Sequence, residues 1–190
     1  VVLTKPLLKL ADMLGKVTPE DIDMFYFGNS GAEAVEASFK MARYVTHRPV
    51  IIGFIGGFHG RTYGSVSLTS VKSKYRKYYE PTIPGIYFAE YPNPYRCPLG
   101  SDQKTVVDWS VASIQQIFDR LADPSQVAAF LIEPVQGEGG YIVPPVEFWK
   151  ELRALCDQHG ILLIADEVQT GFGRTGSMFA SQTFGFRPDI

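Results

Sequence analysis

The sequence predicts an α/β fold built on a mostly parallel sheet with helices on both faces. Three observations carry this. Strand-like and helix-like patterns alternate along the chain instead of segregating. The runs VAAFLIEP (127–134) and ILLIADE (161–167) are continuously apolar, as strands covered on both faces are. Between those two runs lies PVEFWKELRALCDQH, an amphipathic helix opened by proline and closed by Gly160.

The other elements follow in order. Residues 5–15 read as a helix with Leu7, Leu10 and Leu14 on one stripe. MFYFGNS (24–30) reads as a short aromatic strand entering a turn. The helix SGAEAVEASFKMARYV follows, its start marked by capping-box spacing between Ser30 and Glu33. Glu36 and Lys40 stand at i,i+4, a favourable helix pair. PVIIGFI (49–55) is the next strand, GGFHGRT (56–62) a loop, and residues 61–69 a short helix. GIYFAEY (85–91) is a strand leading into the proline-rich loop YPNPYRCPLG. Residues 105–121 form a helix with Val107, Val111, Ile114, Ile117, Phe118 and Leu121 facing inward. FGFRPDI (184–190) reads as the entry to a buried strand, so the chain is expected to be a fragment of a longer protein.

Composition excludes several classes. The 190 residues are 45% hydrophobic and 20% charged, ordinary for a globular domain. A net charge of −2 provides no basic field for nucleic acid or an anionic membrane. The apolar runs are too short to span a bilayer, and the charged start VVLTKPLLKLADML does not read as a signal peptide. Cys97 and Cys156 form no CxxC pair, so a disulfide framework is not expected and a reducing cytoplasm is. The histidines and cysteines show no metal-ligand spacing, so no metal site is expected.

ILLIADEVQTGFGRTG (161–176) carries two familiar signals, and neither holds. A strand ending in Asp-Glu suits an NTPase, but no Gly-Lys-Ser/Thr phosphate loop exists. Gly171, Gly173 and Gly176 spell G-x-G-x-x-G, yet DEVQT separates them from the strand. The G-x-S-x-G serine elbow is also absent.

In open parallel sheets, ligands bind beyond the carboxyl ends of the strands. Ser30-Gly31, Phe58-His59, Glu133 and Asp166 each follow a different predicted strand and would meet at one rim. The small residues of NSGAEAVE at a helix start suit a phosphate, or simply a capped helix. Asp166, at the end of a buried strand, needs a cation: a protonated ring nitrogen of a ligand, or a distant arginine. Phe58 and Val168 offer flat apolar contacts to the two faces of a ring, or core packing, and Gln169 a partner for a ring hydroxyl. Together these requirements describe pyridoxal 5′-phosphate (PLP).

The strings NSGAEAVEASFKMAR, GGFHGRT, LIEPVQGEGG and LLIADEVQTGFGRTG, in this order, resemble the class III (ω-amino acid) aminotransferases of the fold type I PLP enzymes, and 4-aminobutyrate aminotransferases most of all. The resemblance covers the whole chain and implies that 1–190 is a fragment of the large cofactor-binding domain. By it, Ser30, Gly31 and Ala32 hold the phosphate, Phe58 and Val168 cover the ring, and Asp166 pairs with the ring nitrogen. Gln169 lies near the ring hydroxyl, and His59 and Glu133 lie at the cofactor. Arg61 grips a substrate carboxylate, or forms a surface ion pair, and Glu138 partners a substrate-gating arginine from later in the family's chain. The resemblance also implies a Schiff-base lysine and a small C-terminal domain that this chain lacks, so the fragment alone is expected to be inactive. The implied reaction moves an amino group from an ω-amino acid such as 4-aminobutyrate to a 2-keto acid such as 2-oxoglutarate, in a cytoplasmic homodimer. Acetylornithine or ornithine transamination, amino-acid racemisation, and a non-catalytic cofactor-binding module are the alternatives.

Overall fold

A computed structural model describes residues 4–19 and 22–190. Residues 1–3 of the predicted non-signal start therefore lie outside the described residues. Among these residues four strands form one sheet: β1 (Val50–Phe54), β2 (Ile86–Ala89), β3 (Val127–Ile132) and β4 (Leu162–Ala165). Their order is β2-β1-β3-β4 and every pairing is parallel. Among the described residues six α-helices accompany them: α1 (Lys5–Leu14), α2 (Gly31–Thr46), α3 (Tyr63–Leu68), α4 (Gln103–Arg120), α5 (Glu147–His159) and α6 (Ala180–Phe184).

Side chains alternate between the two faces of the sheet. Ile52, Phe54, Phe130, Ile132 and Leu163 pack with Ile114, Phe118, Phe148, Trp149 and Leu152 of α4 and α5. Ile51, Leu131 and Ile164 pack with Val35, Phe39 and Ala42 of α2. β1 and β3 thus bury both faces, and for that reason they read as unbroken apolar runs instead of alternating ones, while the edge strand β2 is only partly buried. Gly160, at φ +63, ends α5 as predicted, and the Arg48 guanidinium donates to the carbonyls of Val127, His159 and Gly160 beside it.

Several expectations are corrected. MFYFGNS is not a strand: residues 22–28 carry no regular structure, and Met24 and Tyr26 are 87% and 69% exposed. A strand needs a neighbour for its backbone groups, and this segment has none among the described residues. α1 buries no side chain, so its leucine stripe has no described face to cover. Leu121 caps α4 and is exposed. Glu36 does not pair with Lys40; its carboxylate accepts from Thr62 Oγ1 (2.6 Å) and from the amides of Gly64 (2.7 Å) and Ser65 (3.1 Å), capping α3. Residues 189–190 form no named strand but bond along β4, with Asp189 N donating to Leu163 O and Ala165 N to Ile190 O.

Candidate functional site

The parallel order brings the ends of β1, β3 and β4 to one edge, where α2 also begins. A pocket of about 230 Å³ opens there. It is lined by Gly31, Ala32, Phe58, His59, Gly60, Glu133, Glu138, Asp166, Val168 and Gln169. Nine of the eleven residues singled out in the sequence therefore meet. Ser30 lies beside the pocket as the N-cap of α2, and Arg61 is exposed and is not part of the lining.

Each wall has a local cause. Ser30 Oγ accepts from Glu33 N at 3.2 Å, forming half of the predicted capping box. The other half differs, because the Glu33 carboxylate reaches back to Asn29 N at 2.6 Å and not to Ser30. The amides of Gly31 and Ala32 have no acceptor among the described residues and stand at the positive end of the helix. Gly31 is glycine for space: a Cβ there would lie 2.8 Å from Val168 Cγ2. The start of α2 and the chain after β4 therefore touch, and they close the pocket between them.

Asp166 keeps its side chain only 6% exposed. Its partner is not an arginine. Oδ2 meets His59 Nδ1 at 2.7 Å, and Oδ1 accepts from Val168 N at 3.2 Å. Because the carboxylate is an acceptor, the imidazole proton sits on Nδ1. A carboxylate offers about four acceptor positions, so two remain for a ligand. Glu133, buried after β3, accepts from Phe58 N (2.8 Å) and Gly137 N (2.9 Å). Burial raises its pKa, opposed by the nearby His59 and by the two amides. Phe58 sets its ring edge-on to Tyr75, with centroids 5.4 Å apart.

Sequence reasoning missed several supporting groups. Thr69, fully buried, accepts from His59 N at 2.9 Å and donates to Gly60 O at 3.0 Å. Gln136 Nε2 donates to Ile55 O at 2.9 Å and ties the EPVQGEGG loop to the one after β1. Gly60 lines the pocket at φ +117, with Ala32 Cβ 2.7 Å from where its own Cβ would be. Gln136 and Gly60 sit in the motifs EPVQGEGG and GGFHGRT and were findable there; Thr69 gave no separable signal.

The donor set fits PLP. None of the ten lining residues is lysine or arginine, while three are acids, so the floor favours a cation such as a protonated ring nitrogen. The free amides at the start of α2 supply the opposite preference a short way off, the one a phosphate satisfies.

Comparison with known proteins agrees. The aminotransferase class-III family matches residues 1–190. An alanine/serine racemase of Pyrococcus horikoshii is 38% identical over 96% of this chain and 40% of its own length. A 4-aminobutyrate aminotransferase of Escherichia coli is 42% identical over 100% of this chain and 43% of its own. An amine transaminase from an uncultivated Pseudomonas species, solved in its PLP-bound form, superposes with a TM-score of 0.89 at 33% identity, over 99% of this chain and 44% of that one. The chain thus spans about two-fifths of the length of the relatives it matches. With the family's pattern running through all four rim motifs and its fold reproduced around them, the chain belongs to the class III aminotransferases.

Proposed function

We propose that the whole protein containing this chain is a PLP-dependent ω-amino acid aminotransferase, moving the amino group of a donor such as 4-aminobutyrate to a 2-keto acid such as 2-oxoglutarate. The observation that carries this is the polarity of the pocket: a buried acid with free acceptor positions on one side, and unpartnered helix-start amides on the other.

When bound, PLP supplies the carbonyl carbon that takes up the amine and a ring that withdraws electrons from it. The chain's residues do the rest. Ser30, Gly31 and Ala32 hold the phosphate at the start of α2. Asp166 keeps a proton on the ring nitrogen, and His59 donates to the same carboxylate and holds its orientation. Phe58 and Val168 cover the two ring faces and exclude water, and Gln169 meets the ring hydroxyl. Glu133 accepts from the Phe58 amide and so fixes the backbone that carries the Phe58 ring. Arg61, exposed on the same loop, takes a substrate carboxylate, and Glu138 pairs with an arginine from another part of the protein. The catalytic lysine comes from outside residues 1–190, and the working unit is a cytoplasmic homodimer. The pocket's 230 Å³ supports this incompleteness, being below the roughly 300–1,000 Å³ of whole small-molecule sites.

The test uses the full-length protein with PLP, 2-oxoglutarate and a panel of 4-aminobutyrate, N-acetylornithine, ornithine and single-enantiomer amino acids. Glutamate formed from an ω-amino donor supports the proposal. Loss of optical purity without glutamate selects the racemase reading, which the 38% identical relative favours. Turnover by the 190-residue chain alone would overturn the placement of the lysine.

A further inference from the structure

The acid next to Asp166 has no role in the reading above, yet it is one of the most heavily bonded carboxylates in the molecule. Glu167 Oε2 accepts from Thr170 Oγ1 (2.9 Å) and Ala180 N (2.6 Å), and Oε1 accepts from Ser181 N (2.9 Å). Its backbone carbonyl accepts from Gly171 N at 2.9 Å. One residue therefore holds both ends of the segment 168–179.

The far end needs this anchor. The N-cap of α6 is Phe179, whose side chain has no oxygen to offer the first helical amides. Glu167 serves those amides from thirteen and fourteen residues upstream. α6 is seated in turn: Ala180 and Ser181 are buried, and Phe184 and Phe186 pack against Trp149, with Phe186 stacked at 4.1 Å. The clamp thus ties the loop to the core of the domain.

The near end is where the clamp has a consequence for the pocket. Val168 is 66% exposed and Gln169 is also exposed, so burial does not fix them. Val168 has one backbone bond, to Asp166 Oδ1, and a one-sided contact on Gly31. Beyond it the segment contains Gly171, Gly173 and Gly176, the last two at φ +87 and +99, which lower its intrinsic order. Two exposed side chains at the head of a glycine-rich loop keep one position only if the loop is closed behind them.

We infer that Glu167 is a positioning residue: by closing segment 168–179 onto α6 it sets Val168 and Gln169 at the rim where the cofactor ring is held. This rests on the PLP reading of the pocket. It also gives the Asp-Glu pair of ILLIADE two distinct tasks, one facing the ligand and one facing the loop.

The test compares wild type, Glu167→Ala and Glu167→Gln in the full-length protein. The alanine removes all three side-chain bonds. The glutamine keeps one acceptor oxygen and turns an amide NH₂ toward the remaining donors, so it restores the clamp in part. Two readouts are taken. Trypsin cleavage after Arg174, in the exposed part of the loop, is timed without PLP and identified by mass. PLP affinity and the induced circular dichroism of the bound ring are then measured, the latter at saturation. Glu167→Ala is expected to speed cleavage and weaken PLP binding by about tenfold each, a scale set by losing one to two net hydrogen bonds. It also diminishes the induced signal at saturation, and Glu167→Gln is intermediate throughout. Cleavage of the alanine variant at the wild-type rate overturns the clamp. Faster cleavage with unchanged affinity and unchanged induced signal overturns the positioning role. Wild-type protein that takes up no PLP overturns the cofactor reading and this assignment with it. That outcome is told apart from failure of the clamp by the proteolysis, which needs no ligand.

Discussion

Asp166→Asn isolates charge from shape at the base of the pocket. In the native chain Oδ1 accepts from Val168 N at 3.2 Å and Oδ2 meets His59 Nδ1 at 2.7 Å. Asparagine keeps an oxygen for Val168 N and presents an NH₂ to His59, which accepts it by moving its proton to Nε2. Both contacts survive and the pocket keeps its form, but the negative charge is gone. A hydrogen bond to a charged group contributes about 1.5–3 kcal/mol and a neutral one about 0.5–1.5. The variant should therefore lose roughly 1–2 kcal/mol of PLP binding, a rise of about 5- to 30-fold in Kd. The assay is titration of full-length apo-protein with PLP, followed by absorbance, with thermal melting of the apo form as the control for folding. Asp166→Ala sharpens the comparison: it leaves His59, 3% exposed, without its carboxylate, and should cost about 1–3 kcal/mol of stability that the asparagine does not. An asparagine variant that binds PLP within about twofold of wild type refutes the pairing of this carboxylate with a ring cation.

Three further changes test the scaffold. Gly60→Ala places a Cβ 2.7 Å from both Ala32 Cβ and Ser65 Oγ at a φ of +117, and should cost roughly 2–4 kcal/mol in urea unfolding; adding Ala32→Gly removes one clash and should recover part of it. Ser30→Ala removes the acceptor for Glu33 N and should lower stability by about 1 kcal/mol, read as a fall of about 2–4 °C in Tm. Glu133 gives a pH signature: its pKa is raised in the folded chain, chiefly by burial, so the folded state holds this proton to higher pH than the unfolded one does. Its stabilising contribution is complete below the ordinary carboxylate range and is lost as pH climbs through the raised value. Relative to Glu133→Gln, wild type should lose stability as pH rises above the ordinary carboxylate range in urea unfolding, and a pH-independent difference counts against this.

The fold was legible where burial on both faces leaves a continuous apolar signature, as at 127–132 and 162–165. Convergence of the site was legible for a topological reason, since parallel strands deliver their following residues to one edge. What escaped was partnership across distance. His59 and Asp166 are 107 positions apart, and nothing near Asp166 indicates that its partner is an imidazole and not a guanidinium. Glu36 looked like half of a helix-surface pair because i,i+4 spacing is local, while its actual partners begin 26 residues later. The strand expected at 24–30 failed for the converse reason: β-propensity says nothing about whether a neighbour is present. The glycines of GFGRTG shape a loop. Gly173 and Gly176 have positive φ and open space where a Cβ would stand, while Gly171 lies against the Glu167 carbonyl.

The loop between β1 and α3 shows how these distant partners make a site. GGFHG has little conformational preference of its own, and glycine loses the most backbone freedom on ordering. Yet several of its polar groups are held by different elements. Gly57 O accepts from the amides of Ser70 and Val71, Phe58 N donates to Glu133, and His59 N donates to Thr69. Gly60 O accepts from Thr69 Oγ1, and the His59 ring is fixed by Asp166. Apolar packing alone would leave such a loop free to slide, because packing is weakly directional and glycine brings no side chain to it. Cross-element hydrogen bonds remove that freedom one group at a time and leave the backbone close enough to α2 that only glycine fits at position 60. The glycines permit close approach, the buried Glu133, Thr69 and Asp166 specify it, and Phe58 and His59 are presented at the rim because both conditions are met at once.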